Sequence, residues 1–261
     1  MLLFANIKIM KTNLYRNIDL FRINVKAGVN EYYFPQNVDW AEKKVDRIAI
    51  CAPSSACVDP MDGQTPVMDL MSLLQADCYV NIYSKDQREI LHAVSAEQIL
   101  HLNNHPLELN SKLDLSLCSL YFKTAPERDM TLLLYVYHDN KCVEDPDMPS
   151  RSVTCIFPLD AGEEINLREI IDTYVHALPA TIKGVSVWGN EDLYMTLRDH
   201  KLTYILQNLH GELARPMMNG GSAVDTQING MMLDCVDVDF EYSHIRNCSA
   251  NNGNYKLTFW Y

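Results

Sequence analysis

The sequence is short of basic residues, of glycine and of long apolar runs. Its 261 residues hold 22 Lys and Arg against 34 Asp and Glu, a formal net charge of −12. Phosphate binding needs clustered cations, so this balance speaks against a protein that coats nucleic acid. No apolar run approaches the length of about twenty residues that a membrane-crossing helix needs. The opening Met1-Leu2-Leu3-Phe4-Ala5 has no basic lead and meets Lys8 and Lys11 almost at once, unlike a secretory signal. None of the eight cysteines (51, 57, 78, 118, 142, 155, 235 and 248) forms a C-x-x-C pair. Without a secretion signal they read as free thiols, buried as small hydrophobes in a chain that folds in a reducing compartment.

Catalytic signatures are missing as well. There is no G-x-S-x-G, no G-x-x-x-x-G-K, no G-x-G-x-x-G and no H-E-x-x-H. Gly220-Gly221-Ser222 reads as a turn. His101 and His105 stand one helical turn apart, but Pro106 favours a helix end there, and a metal site would need further ligands. The chain does not read as an enzyme, and no resident cofactor is expected.

What is present is period-two alternation. Phe21, Ile23 and Val25 face one way while Arg22, Asn24 and Lys26 face the other, as in a half-buried strand. Further strands are expected at 45–51, 77–83, 89–94, 113–122, 131–138 and 153–157. Helical spacing appears at 166–176 through Leu167, Ile170, Ile171 and Tyr174. Shorter helical pieces are expected at 37–44, 67–74 and 95–102, the last with Ser95 as N-cap and Gln98 as its capping-box partner. Residues 140–152 contain Glu144, Asp145, Pro146, Asp147 and Pro149, a composition that suits a connector.

Beyond that connector the first half starts again. Ala161-Gly162 repeats the turn Ala27-Gly28, and Ile182, Val185 and Val187 answer Val45, Ile48 and Ile50. Asp77-Cys78-Tyr79 lies over Asp192-Leu193-Tyr194, and Ile90-Leu91 over Ile205-Leu206, without a gap. Leu113 to Leu117 answer Val236 to Phe240, and Leu133, Tyr135 and Tyr137 answer Leu257, Phe259 and Tyr261. The recurrence of these blocks in one order predicts an all-β fold of two tandem antiparallel eight-stranded jelly rolls with a few short helices. The organisation expected is an N-terminal arm (1–20), a first roll (21–139), an acidic Pro-containing linker (140–152) and a second roll (153–261).

Candidate site residues are few. Asp237, Asp239 and Glu241 alternate with apolar residues, which would place three carboxylates along one strand face at intervals of about 6.8 Å. Such a row suits either a solvated face or a structural divalent cation such as calcium. Asp59, Asp62, Asp145 and Asp147, in Pro-containing loops, offer the same choice. Met217, Met218, Met231 and Met232 flank a Gly-containing loop. Consecutive strand residues face opposite sides, so these methionines are candidate subunit contacts. Tyr32-Tyr33-Phe34 and Phe259-Trp260-Tyr261 suit core and interface packing, because no basic residues accompany them as base-stacking sites require.

The repeated layout from Phe21 to Tyr261 resembles the double jelly-roll major capsid proteins of tailless, membrane-containing icosahedral phages, of the corticovirus and Flavobacterium lipid-phage kind. Arg22-Ile23-Asn24-Val25-Lys26-Ala27-Gly28, Tyr33-Phe34-Pro35 and Lys44-Val45-Asp46-Arg47-Ile48 resemble the opening of such a first roll. The resemblance implies a homotrimer in a capsid lattice, with penton and minor capsid proteins as partners. It also implies an internal viral membrane reached by the N-terminal arm, and residence in the virion after synthesis in the host cytoplasm. A vertex or spike protein and a carbohydrate-binding β-sandwich are the alternatives. Scattered tryptophans at 40, 188 and 260 disfavour a concave sugar-binding face.

Overall fold

The alternation at Phe21, Ile23 and Val25 belongs to a strand that begins before Phe21. The computed structural model describes residues 12–14, 17–36, 42–53, 56–100, 107–138, 141–143, 151–174, 181–189, 192–214 and 231–261. A short ribbon pairs β1 (Thr12–Leu14) with β10 (Lys141–Val143). The expected arm and the expected linker are thus tied to each other.

The first roll comprises β2 (Asn17–Val25), β3 (Glu31–Tyr33), β4 (Val45–Cys51), β5 (Cys78–Tyr83), β6 (Glu89–Ser95), β7 (Leu107–Ser111), β8 (Ser119–Phe122) and β9 (Met130–His138). The second comprises β11 (Ser152–Leu159), β12 (Glu164–Asn166), β13 (Thr181–Gly189), β14 (Leu193–Arg198), β15 (Tyr204–His210), β16 (Met231–Asp237), β17 (His244–Asn247) and β18 (Gly253–Trp260). In the first roll the strand orders are β2-β9-β4-β7 and β3-β8-β5-β6. In the second they are β11-β18-β13-β16 and β12-β17-β14-β15, the same orders moved on by one roll. These are the two facing four-stranded sheets of a jelly roll, made twice.

Details of the backbone repeat with the topology. Gly28 and Gly162 close the turn after the first strand of each roll, at φ +74° and +75°. Ladder pairing slips between Val80 and Ile82 in the first roll and between Met195 and Leu197 in the second, a β-bulge at the same place. Opposite it, Ala93 and Asn208 take left-handed φ values of 45° and 43°. The bulge amides find matching acceptors: Ala93 N–H donates to Asn81 Oδ1 at 2.8 Å, and Asn208 N–H to Thr196 Oγ1 at 3.1 Å.

Several local expectations need correction. The expected strand at 113–122 survives only as β8, because Asp114 accepts from the amides and hydroxyl that close a turn over 115–118. Helix α1 (Leu70–Ala76) starts later than expected, where the Asp69 carboxylate accepts from Ser72 N–H at 2.7 Å. Helix α2 (Leu167–Tyr174) buries Leu167, Ile170 and Ile171 as its spacing predicts. A 3-10 turn covers Ala96–Ile99, and the Ser95 side chain accepts from Glu97 N–H, not in a box with Gln98. Most of the helix expected at 37–44 lies outside the described residues.

The cores explain why the last strands of the two rolls differ. Strand β18 alternates buried and more exposed residues, whereas β9 is buried along its whole length. Leu132, Leu134 and Val136 belong to the first roll's core, while Leu133, Tyr135 and Tyr137 point to the opposite face, into the apolar cluster shared with the second roll. Burying one such large side chain contributes about 2 kcal/mol. Cross-strand partners also correct the register of the repeat. Ile50 pairs with Leu134 and Val187 with Leu257, so Leu257 answers Leu134, and Phe259 answers Val136 in place of Tyr135.

Candidate functional site

The two rolls meet edge to edge. Strand β15 lies parallel to β2, with Leu206 opposite Ile18, and so joins two four-stranded sheets into one of eight. Leu206, Leu209 and Ile18 are fully buried at this joint. The Tyr135 hydroxyl donates to the carbonyl of Asn208 at 2.5 Å and accepts from His210 N–H at 3.0 Å. The bulge thus turns a second-roll carbonyl toward a first-roll hydroxyl.

The first roll also sends its loop between β4 and β5 across the second. Val58 N–H donates to Cys248 C=O at 3.0 Å, and Cys57 forms a bridge with Ser249. Cys57 Sγ lies 3.4 Å from the Tyr194 hydroxyl, and Arg246 Nη1 donates to Pro60 C=O at 2.9 Å. Tyr194 stacks edge-on against His210 at 4.9 Å, and His210 Nε2 lies 2.8 Å from Asp192 Oδ1. Burial raises the Tyr135 and Tyr194 hydroxyls well above their ordinary pKa, so both remain protonated donors. Burial likewise raises the Cys57 thiol, with the Tyr194 hydrogen bond opposing it.

The loop is anchored at its base by charge. Arg22 Nε donates to Asp59 Oδ2 at 2.7 Å, and Asp59 is fully buried, accepting also from Met61 N–H. Asp62 accepts from Gln64 and Thr65 N–H and stands 3.6 Å from Arg22 Nη2. Both carboxylates therefore hold the loop in shape. Asp145 and Asp147 lie outside the described residues, as do His101 and His105.

Strand β16 ends at Asp237, so Asp237, Asp239 and Glu241 do not line one strand. Asp237 accepts from the Thr181 hydroxyl, and Asp239 Oδ2 lies 3.1 Å from His200 Nδ1. Glu241 sits in the following turn, where its amide donates to Asp239 Oδ1. Among the described residues no group of three or more His, Cys, Asp or Glu could hold a metal ion. Met231 is only 4% exposed and packs in the second roll's core, which removes it from any neighbour; Met232 is half-buried. Met217 and Met218 lie outside the described residues. Among the cysteines whose side chains are described, only Cys235 is exposed.

Away from the joint, each roll keeps an open surface. The outer face of the first roll's β3-β8-β5-β6 sheet carries Tyr33, Tyr79, Tyr83 and Tyr121, with Tyr79 directly opposite Tyr121. Tyr33 and Tyr121 are 60% and 44% exposed. On the second roll, Ile156 and Trp188 are exposed on the β11-β18-β13-β16 sheet, beside a hydroxyl pair, Thr154 and Thr258, at 2.9 Å. Tyrosine and tryptophan on an open sheet face suit protein contacts, since they bury large areas at low entropic cost. A cleft of about 470 Å³ near α1 and residues 124–128 includes Glu127 and Arg128 but no nucleophile–base pair. The joint leaves one signal in the sequence, the unbroken apolar run Leu132 to Tyr137, which marks a strand covered on both faces.

No protein-family model matches the chain, and no curated protein matches it. Among solved structures, one from the atomic structure of Sulfolobus Turreted Icosahedral Virus aligns over 94% of this chain and 90% of its own. The identity is 10% and the TM-score 0.22.

Proposed function

We propose that this chain is a structural virion protein, the major capsid subunit, which assembles as a homotrimer of near-hexagonal outline in an icosahedral shell. The observation that carries this reading is the edge joint between two rolls of identical strand order. Two similar wedges per chain and three chains per assembly give six similar wedges around one axis, a block that tiles a shell with few kinds of contact. The acidic charge of −12 suits a subunit that leaves the genome to other proteins. On this reading penton and minor capsid proteins are neighbours, an internal membrane lies beneath, and residues 1–20 are the segment nearest to it. The protein acts in the virion after synthesis in the host cytoplasm.

Sedimentation of the purified chain, with negative-stain imaging, tests the proposal. A trimer of the 29.9 kDa chain with six lobes is the expected result. A folded monomer at high concentration overturns it.

A further inference from the structure

The joint inside the chain uses one sheet edge of each roll; the other edge strands are β3, β6 and β7 in the first roll and β11, β12 and β16 in the second. Strand β15 and strand β2 are spent on each other. Their counterparts, β6 in the first roll and β11 in the second, are the outer strands of their sheets. We infer that β6 of one copy docks in parallel on β11 of a second copy, with Leu91 opposite Ser152, repeating between chains the contact that Leu206 and Ile18 make within one. This inference rests on the capsid reading and names the surface through which that assembly closes.

Four observations carry it. First, β6 keeps the bulge of β15 in the same register, with Ala93 left-handed where Asn208 is. An alanine in that conformation costs about 1–2 kcal/mol, and such strain persists where a function holds it. At Asn208 the bulge carbonyl receives the Tyr135 hydroxyl, and its counterpart at Ala93 lies on an exposed residue. Second, the apolar residues repeat but their cover does not. Leu206 and Leu209 are fully buried, whereas their counterparts Leu91 and Val94 stay half-exposed.

Third, the face beside β6 matches the face that is covered within the chain. Tyr194 is 1% exposed beneath Cys57 of the crossing loop, while Tyr79, in the same register, is half-exposed among Tyr33, Tyr83 and Tyr121. Fourth, charge complements across the proposed contact. Parallel register with Leu91 on Ser152 brings exposed Arg151 beside Glu89, and Lys256 lies on the strand next to β11, opposite Ile156. The far end of β11 is blunted by Pro158, which offers no amide donor, so pairing is favoured at its Ser152 end. The contact is heterologous, so it builds a ring when the rotation closes, with three joints inside chains and three between them.

The test is a mixed cross-link. Leu91→Cys in one tagged chain and Ser152→Cys in another should join through a short bis-maleimide only when the two are mixed. The double variant alone should yield a covalent trimer and nothing larger. Leu91→Glu should raise the dissociation constant of the trimer at least about tenfold. If Leu91→Cys folds poorly, a benzophenone amino acid at exposed Ser152 should capture the peptide 89–95 of a neighbour. A trimer that sediments normally but gives neither cross-link overturns this surface and leaves the capsid reading standing. A ladder beyond the trimer overturns closure of the ring, and a monomer overturns both.

Discussion

Tyr79 and Tyr194 occupy the same position in the two rolls, each the second residue of its strand, one place beyond a ladder pair (Cys78 with Phe122, Leu193 with Asn247). Tyr194 lies under the loop that carries Cys57, whereas Tyr79 is only half-buried. Truncation should separate them. Tyr194→Ala removes a buried ring and opens a cavity, at a cost of about 3–5 kcal/mol. Tyr79→Ala, at a half-buried ring, should cost less in the isolated chain, about 1–2 kcal/mol. Urea unfolding of dilute protein measures both, and equal losses would show that the rolls are not distinguished by cover.

Alkali should destabilise the fold through its thiols. Burial raises Cys78 to about 12, Cys118 to about 11 and Cys248 to about 12, from an ordinary value of 9.0. In the unfolded chain these groups ionise near pH 9, while the folded chain retains their protons until pH 11 to 12. The unfolded state then binds fewer protons, so their contribution is fully present below pH 9 and is lost as pH rises toward the folded values. The slope approaches about 1.4 kcal/mol per pH unit for each such thiol. Urea midpoints from pH 8 to 10.5 should fall progressively, and Cys248→Ala should make the fall shallower. A flat profile would contradict the buried thiols.

How much of this was legible in the residues depends on whether a strand has one covered face or two. The turns Ala27-Gly28 and Ala161-Gly162 read correctly because a positive φ leaves a glycine signature. The blocks around Tyr79 and Tyr194 aligned in true register because Asp77 and Asp192 mark the strand start in both halves. The final strands slipped by one residue. With Leu132 to Tyr137 all apolar, alternation vanishes and nothing in the pattern separates Tyr135 from Val136. That run marks a doubly covered strand but does not name its cover: Ile18 and Leu206 are ordinary strand residues, and what covers them lies in the other roll. The row Asp237, Asp239 and Glu241 misled because alternation in sequence continued past the last ladder pair, Thr181 with Asp237.

Two glycines separate conformational strain from lack of space. Gly28 has φ +74° and open space where a Cβ would stand, so Gly28→Ala should cost only the left-handed strain, about 1 kcal/mol. Gly63 has φ +68°, and a Cβ there would lie 2.5 Å from Arg246 Nη2. Gly63→Ala must therefore also displace the guanidinium that donates to Pro60 C=O. Its cost should exceed that of Gly28→Ala by about 1–2 kcal/mol, the loss of one charged hydrogen bond. Urea midpoints of the two variants check the difference, and equal midpoints would mean that Arg246 does not hold the crossing loop.

Ala93 provides the sharpest contrast between folding and assembly. Its φ of 45° is costly for alanine and open to glycine. Ala93→Gly relieves that strain but adds freedom to the unfolded chain, and the two effects oppose each other. Relief of about 1–2 kcal/mol against an entropic loss of about 0.5–1 kcal/mol leaves a gain of up to about 1.5 kcal/mol. Ala93→Val should go the other way, because a β-branched side chain tolerates a left-handed backbone worse than alanine. The Asn81 carboxamide that accepts from Ala93 N–H remains in place in both variants, so the comparison isolates the backbone at one residue. The check is urea unfolding of the dilute chain, with Ala93→Gly above the parent and Ala93→Val below it. The reverse order would mean that the residue is not left-handed, and would remove the bulge shared with Asn208.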